Sequence, residues 1–196
     1  MTNFRVSNVI VNALLIFLIT FTHHQWLPMF TVVRADGEFS FQQCQAAKDP
    51  EICQKCFDFD PRSKEADLVG LLNVIFDCMN YYASSMQDQM WRLNLNSTAD
   101  AQTKQTYEDC VEWFTCAKSE LFAAKLGLKI GDSITPSNSL LTALRYRDSC
   151  RYALSKTPDF KDGVPKDMKN ELDGYFQLYD AASKMLENYG AEIIAD

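Results

Sequence analysis

The chain has 196 residues, 47% hydrophobic and 23% charged, with 7 Gly, 6 Pro, 7 Cys, 2 His and a net charge of −7. That composition excludes disordered, collagen-like and coiled-coil fibrous chains. So few glycines also disfavour an all-β sandwich or a Gly-looped nucleotide fold.

Residues 1–35 read as a secretory signal. Arg5 and the amino terminus form a positive region, Val9 to Thr22 is an apolar run broken only by Asn12, and Val33-Arg34-Ala35 offers a small-residue cleavage site. The apolar run is shorter than the ~20 residues that span a bilayer. His23-His24-Gln25 and Pro28 stop its extension, so a membrane anchor is the weaker reading. Cleavage after Ala35 leaves one domain, 36–196, large enough for its own core. Both histidines leave with the signal, Lys and Arg fall from 19 to 17, and Asp and Glu stay at 26, a net charge of −9. Such a domain suits a basic protein partner rather than nucleic acid or an anionic membrane. All seven cysteines remain, so disulfides with one thiol left over are expected.

Residues 38–58 read as a small helical hairpin turning at Lys48-Asp49-Pro50. After Asp60-Pro61-Arg62-Ser63, apolar residues recur at Leu68, Leu72, Ile75, Met79, Tyr82, Met86 and Leu93, one stripe of a long helix. A second stripe runs through Tyr107, Cys110, Phe114, Ala117, Leu121, Ala124 and Leu128. A third, shorter helix near Pro136 to Leu154 carries Leu140, Ala143 or Leu144, Cys150 and Leu154. The fourth carries Met168, Leu172, Tyr175, Tyr179, Ala182, Leu186 and Tyr189. Pro61, Pro136 and Pro165 sit where a first helical turn favours proline, and breaks at 94–100, 127–135 and 157–164 separate the helices. Long amphipathic helices on short connections predict an all-α, up-down-up-down four-helix bundle with an N-terminal helical hairpin.

In an antiparallel hairpin, residues equidistant from the turn lie at one height. Cys44 and Cys53 straddle Lys48–Asp49, Cys110 and Cys150 are equidistant from Ile130, and Cys78 and Cys116 from Ser97. Equal height is necessary for a bond but does not fix facing. For Cys78 and Cys116 two readings stay open: two buried thiols, or a third disulfide with Cys56 as the free thiol.

Without histidine, the secreted domain has neither a Ser-His-Asp or Cys-His site nor a His-rich zinc site. The clusters Glu65/Asp67 and Glu108/Asp109/Glu112 read as solvated faces rather than catalytic carboxylate pairs. Cys53-x2-Cys56 lacks the strand that precedes a redox motif. The tyrosines of the fourth helix read as core, their hydroxyls at the bundle edge. No metal, cofactor or small-molecule substrate is implied. Asn96-Ser97-Thr98 is the one glycosylation sequon, in the break between the first two long helices.

Over residues 40–190 the sequence resembles the plant invertase and pectin methylesterase inhibitors. The likeness rests on Cys44-x8-Cys53 with Asp49-Pro50-Glu51-Ile52, on Asp60-Pro61-Arg62-Ser63 with Ala66-Asp67-Leu68 and Gly70-Leu71, on Tyr107-Glu108-Asp109-Cys110 with Phe114, Ala117 and Leu121, and on Gly131-Asp132 ahead of Cys150. The resemblance implies disulfides Cys44–Cys53 and Cys110–Cys150. It also implies a secreted, apoplastic or cell-wall protein that does no chemistry and caps the active-site cleft of a carbohydrate enzyme in a one-to-one complex. In the invertase-inhibiting branch, Pro-Lys-Phe commonly follows Gly-Asp; here Ser133-Ile134-Thr135 stands instead, removing the cation and the aromatic. Ser149-Cys150 is similar to the Thr-Cys of the esterase branch, although Arg145, Arg151 and Tyr152 replace acidic residues common around it. The resemblance therefore points first to a pectin methylesterase, with a cell-wall or vacuolar invertase as alternative and a divergent non-inhibitory binding protein as a third. Asp132 and Ser149 are the candidate contact residues.

Overall fold

The computed structural model describes residues 37–195 except 97, 99 and 162, with only the backbone of 37 and of 192–195. The expected signal segment and its expected cleavage site after Ala35 lie outside the described residues. The elements are α1 (Gly37–Gln45), α2 (Pro50–Phe59), a 3-10 turn (Pro61–Glu65), α3 (Leu68–Asn96), α4 (Ala101–Lys129), α5 (Ile134–Leu154), a second 3-10 turn (Pro158–Phe160) and α6 (Lys166–Ala195). No strand occurs among the described residues.

Helices α3 to α6 form an antiparallel ring, each against its chain neighbour, and α3 closes the ring by packing on α6. The four stripes face inward, as their spacing dictates: Ile75 and Met79, Tyr107 and Phe114, Leu140 and Leu154, and Leu172 and Tyr175 are all buried in one core. Tyr82, Leu93 and Tyr179 are only half-buried. The Tyr175 ring is inside with its hydroxyl, which has no hydrogen-bond partner, so it does not reach the bundle edge as expected.

Pro61 opens the 3-10 turn rather than the long helix. Helix α3 starts later, where the Asp67 carboxylate accepts from Gly70 N–H at 2.7 Å. The Asp60-Pro61-Arg62-Ser63 segment is a joint between hairpin and bundle. Asp60 accepts from Arg62 N–H at 2.9 Å, and buried Ser63 shares its hydroxyl proton between the Phe57 and Asp60 carbonyls. The Arg62 guanidinium pairs with Asp60 and, at 2.9 Å, with Asp77 of α3, which Lys125 of α4 also reaches at 2.6 Å. The same economy recurs at Tyr107, whose hydroxyl donates to Asp159 at 2.6 Å and ties α4 to the α5–α6 connection.

Three disulfides are present: Cys44–Cys53, Cys110–Cys150 and Cys56–Cys78. The third corrects both readings of Cys78 and Cys116, as a pair of buried thiols or as a bond that leaves Cys56 free: Cys78 is bonded to Cys56, and Cys116 is the free, half-buried cysteine. Both height and facing exclude the expected pair. Across α3 and α4 the contacts Asn94 to Glu108, Gln87 to Thr115 and Asp77 to Lys125 are each centred on Ala101, not on Ser97. Cys78 is therefore level with Ala124, about 12 Å along α4 from Cys116. Cys116 also sits on the flank of α4 that meets Tyr146 of α5. Cys56 and Cys78, by contrast, are equidistant from Asp67, with Cα atoms 6.2 Å apart. Alkylation of denatured, unreduced protein is expected to label one cysteine per chain, in the peptide of Cys116. Label on Cys56 instead would contradict this pairing.

Candidate target-binding surface

The hairpin of α4 and α5 is tied at both ends. Cys110–Cys150 staples it at one end, with Cα atoms 4.9 Å apart, and a tight turn closes the other. A Cβ on Gly127 would lie 2.8 Å from Pro136 Cδ, so glycine is what lets the start of α5 approach α4. Gly131 takes φ +74°, the left-handed conformation that ends a helix, while Asp132 N–H donates to Gly127 O at 3.0 Å.

Asp132 then starts α5. Its carboxylate accepts from Ile134 N–H at 2.8 Å, from Thr135 N–H at 3.2 Å and from the Thr135 hydroxyl. The Thr135 hydroxyl, together with these backbone donors, holds the Asp132 carboxyl below the usual carboxylate range. Arg62 does the same to Asp60, and Thr103 N–H to Asp100. Groups depressed on folding stabilise the fold above their unfolded pKa, near 4, and that stabilisation is lost as pH falls through the folded value. Thermal melts are thus expected to be flat above about pH 5 and to fall below about pH 4. Asp132→Ala should lower the melting temperature at neutral pH and make the acid fall shallower; an unchanged acid limb would contradict the role of this cap.

Around the turn stand four exposed apolar side chains spaced by fours, Phe122, Leu126, Ile130 and Ile134. From Ile134 an exposed stripe continues along α5 through Leu141, Arg145, Ser149 and Tyr152. Ser149 lies on it, some 22 Å from the turn by helical rise. The structure therefore does not bring Asp132 and Ser149 together; they mark the two ends of one face. At the far end Arg151 lies 3.7 Å from Asp148, and Lys156 stands over the Tyr152 ring at 5.1 Å. Asn96 is exposed at the end of α3.

Arg147 escaped sequence reasoning. Only 4% exposed, it lies between α5 and α6 and donates twice to the Leu172 carbonyl, at 3.0 and 2.6 Å. It pairs with Asp148 at 2.5 Å and lies 5.7 Å from the Phe176 ring centre. Its signal was available: position 147 falls in register with Leu140, Ala143 and Cys150 on the inward stripe, where a cation needs buried partners.

A family model described as plant invertase/pectin methylesterase inhibitor matches residues 41–189. A pectinesterase inhibitor of Actinidia deliciosa is 30% identical over 100 residues, 51% of this chain and 54% of the relative. That match spans about half of the relative's length. A Platanus orientalis protein named "Putative invertase inhibitor" is 26% identical over 156 residues, 78% of this chain and 89% of the relative. Crystal structures of a pectin methylesterase inhibitor from Arabidopsis thaliana, and of a mutant form of an Arabidopsis one, match with TM-scores of 0.56 and 0.60. At 18% and 19% identity they cover 78% and 74% of this chain, and 96% and 92% of theirs. That likeness is one of fold.

Proposed function

Since this chain belongs to the plant invertase/pectin methylesterase inhibitor family, we propose that it is a secreted, apoplastic inhibitor of a pectin methylesterase. It binds one enzyme molecule and performs no chemistry itself. The observation that carries the choice of target is the turn after Gly131-Asp132. Ser133, Ile134 and Thr135 follow it, so the turn presents neither the cation nor the aromatic of the invertase-inhibiting pattern. The alternative target, an invertase, is favoured by the longer match to the Platanus orientalis relative.

The docking face is the α4–α5 hairpin, from the apolar rim of the turn along the stripe of Leu141, Arg145, Ser149 and Tyr152. A face about 22 Å long suits an interface of standard size, roughly 800 Å² on each partner. A chain of net charge −9 after cleavage approaches a basic enzyme with electrostatic steering, which salt screens beyond ~8–10 Å.

Surface variants test this. Asp132→Asn keeps a capping side chain and removes the charge, so it should slow association at low salt while lowering the melting temperature less than Asp132→Ala does. Ser149→Ala should speed dissociation by roughly threefold to tenfold, the loss of one neutral hydrogen bond. Full inhibition by both variants, with an affinity indifferent to salt, would place the interface elsewhere.

A further inference from the structure

We propose that the groove between α2 and α3 is a binding site for a small aromatic acid, separate from the α4–α5 face. Ile52 and Phe59 of α2 form one wall, Tyr81 and Tyr82 of α3 the other, and the Cys56–Cys78 bridge the floor. The space measures about 420 Å³, within the ~300–1,000 Å³ of small-molecule sites and, like them, lined mainly by apolar groups.

Two aromatic rings at the mouth lack cover. Phe59 is 92% exposed and Tyr81 71%, an arrangement that leaves large apolar surfaces in water beside a concavity. The Tyr81 and Tyr82 rings meet edge to face, 6.1 Å between centres at 81°. That corner offers a bound ring one face and one edge, the two contacts aromatic pairs prefer. The floor is covalent, so the site's depth needs no closure and ordering it costs a ligand little.

Charge sets the rest of the ligand. Lys55 is the charged side chain lining the groove, a cation in an acidic chain. Its ammonium pairs with Glu51 at 2.6 Å, but both side chains are more than 60% exposed. Such a pair is weak and exchangeable, so Lys55 can turn to a carboxylate seated over the rings.

The test titrates disulfide-bonded protein, residues 36–196, with cinnamate and with cinnamyl alcohol, following methyl and aromatic resonances by NMR. Cinnamate is expected to bind saturably, with a Kd on the order of 1 mM, and to shift Ile52, Phe59, Tyr81 and Tyr82. Lys55→Gln should weaken the acid about fivefold and leave the alcohol unchanged. Tyr81→Ser, at an exposed position, should abolish saturation. Several results would overturn the proposal: no saturation, shifts spread to Tyr152, or equal affinity for acid and alcohol. Self-association that Phe59→Ser removes would assign the groove to a second copy instead.

Discussion

Replacing Cys110 and Cys150 together by alanine is expected to cost about 4 kcal/mol, the largest loss among the three disulfides. The bridge spans 40 residues, and confining a loop of that length removes roughly 13 cal/mol/K of entropy from the unfolded chain. Both sulfurs are fully buried between α4 and α5, so alanine also forfeits some apolar contact without burying a new hydroxyl. For comparison, the nine-residue separation of Cys44 and Cys53 predicts somewhat under 3 kcal/mol and the 22-residue separation of Cys56 and Cys78 predicts about 3.4 kcal/mol. Urea midpoints of the three double variants should follow that order. A loss below about 1.5 kcal/mol for the Cys110/Cys150 pair would mean that helix packing alone sets the α4–α5 hairpin.

Arg147→Ala is expected to cost about 2–3 kcal/mol. The substitution removes two charge-assisted hydrogen bonds to the Leu172 carbonyl, the stem's packing between α5 and α6, and the stacking on Phe176. Asp148 and Asp173 remain, but each is nearly half exposed and rehydrates. That keeps the loss below the 3–5 kcal/mol of a fully buried pair broken in half. Arg147→Met should recover most of the loss, because an unbranched apolar chain fills the space without a charge to desolvate. Equal destabilisation by alanine and methionine in denaturant titrations would show that the hydrogen bonds, not the packing, carry the effect.

How much of this was legible depended on whether local periodicity or axial placement governed the feature. The α4–α5 hairpin was readable because its turn is short and its centre at Ile130 falls between helix ends at Lys129 and Ile134. Heights counted from it place Cys110 opposite Cys150. The same count failed between α3 and α4, since Asn96 is level with Thr106 rather than Thr98. Helix α4 overshoots the end of α3 by about 7 Å, an axial offset that no residue pattern encodes. The Cys56–Cys78 bridge is centred on Asp67, a pivot hidden inside the Ala66-Asp67-Leu68 motif.

Function was legible in a different way. The motifs that carry the family resemblance prove to be joints and caps. Arg62 binds Asp60 and Asp77, Tyr107 binds Asp159, and Asp132 holds the first turn of α5. They specify the scaffold and so identify the fold reliably. In the proposed complex, recognition of a target would fall instead to exposed side chains such as Ile134, Leu141 and Tyr152, whose identities no packing constraint dictates. The α2–α3 groove was invisible for a third reason: its walls come from two elements whose juxtaposition depends on the unforeseen disulfide.

The proposed function is inhibition of a pectin methylesterase through a one-to-one complex. It is tested most directly by titrating the disulfide-bonded protein, residues 36–196, into a fixed concentration of that enzyme at mildly acidic pH, with a plant invertase titrated in parallel. The esterase activity is expected to fall linearly to an end point at one equivalent, and the invertase to keep its activity throughout. An esterase unaffected by a tenfold excess, or an invertase inhibited in its place, would contradict the account.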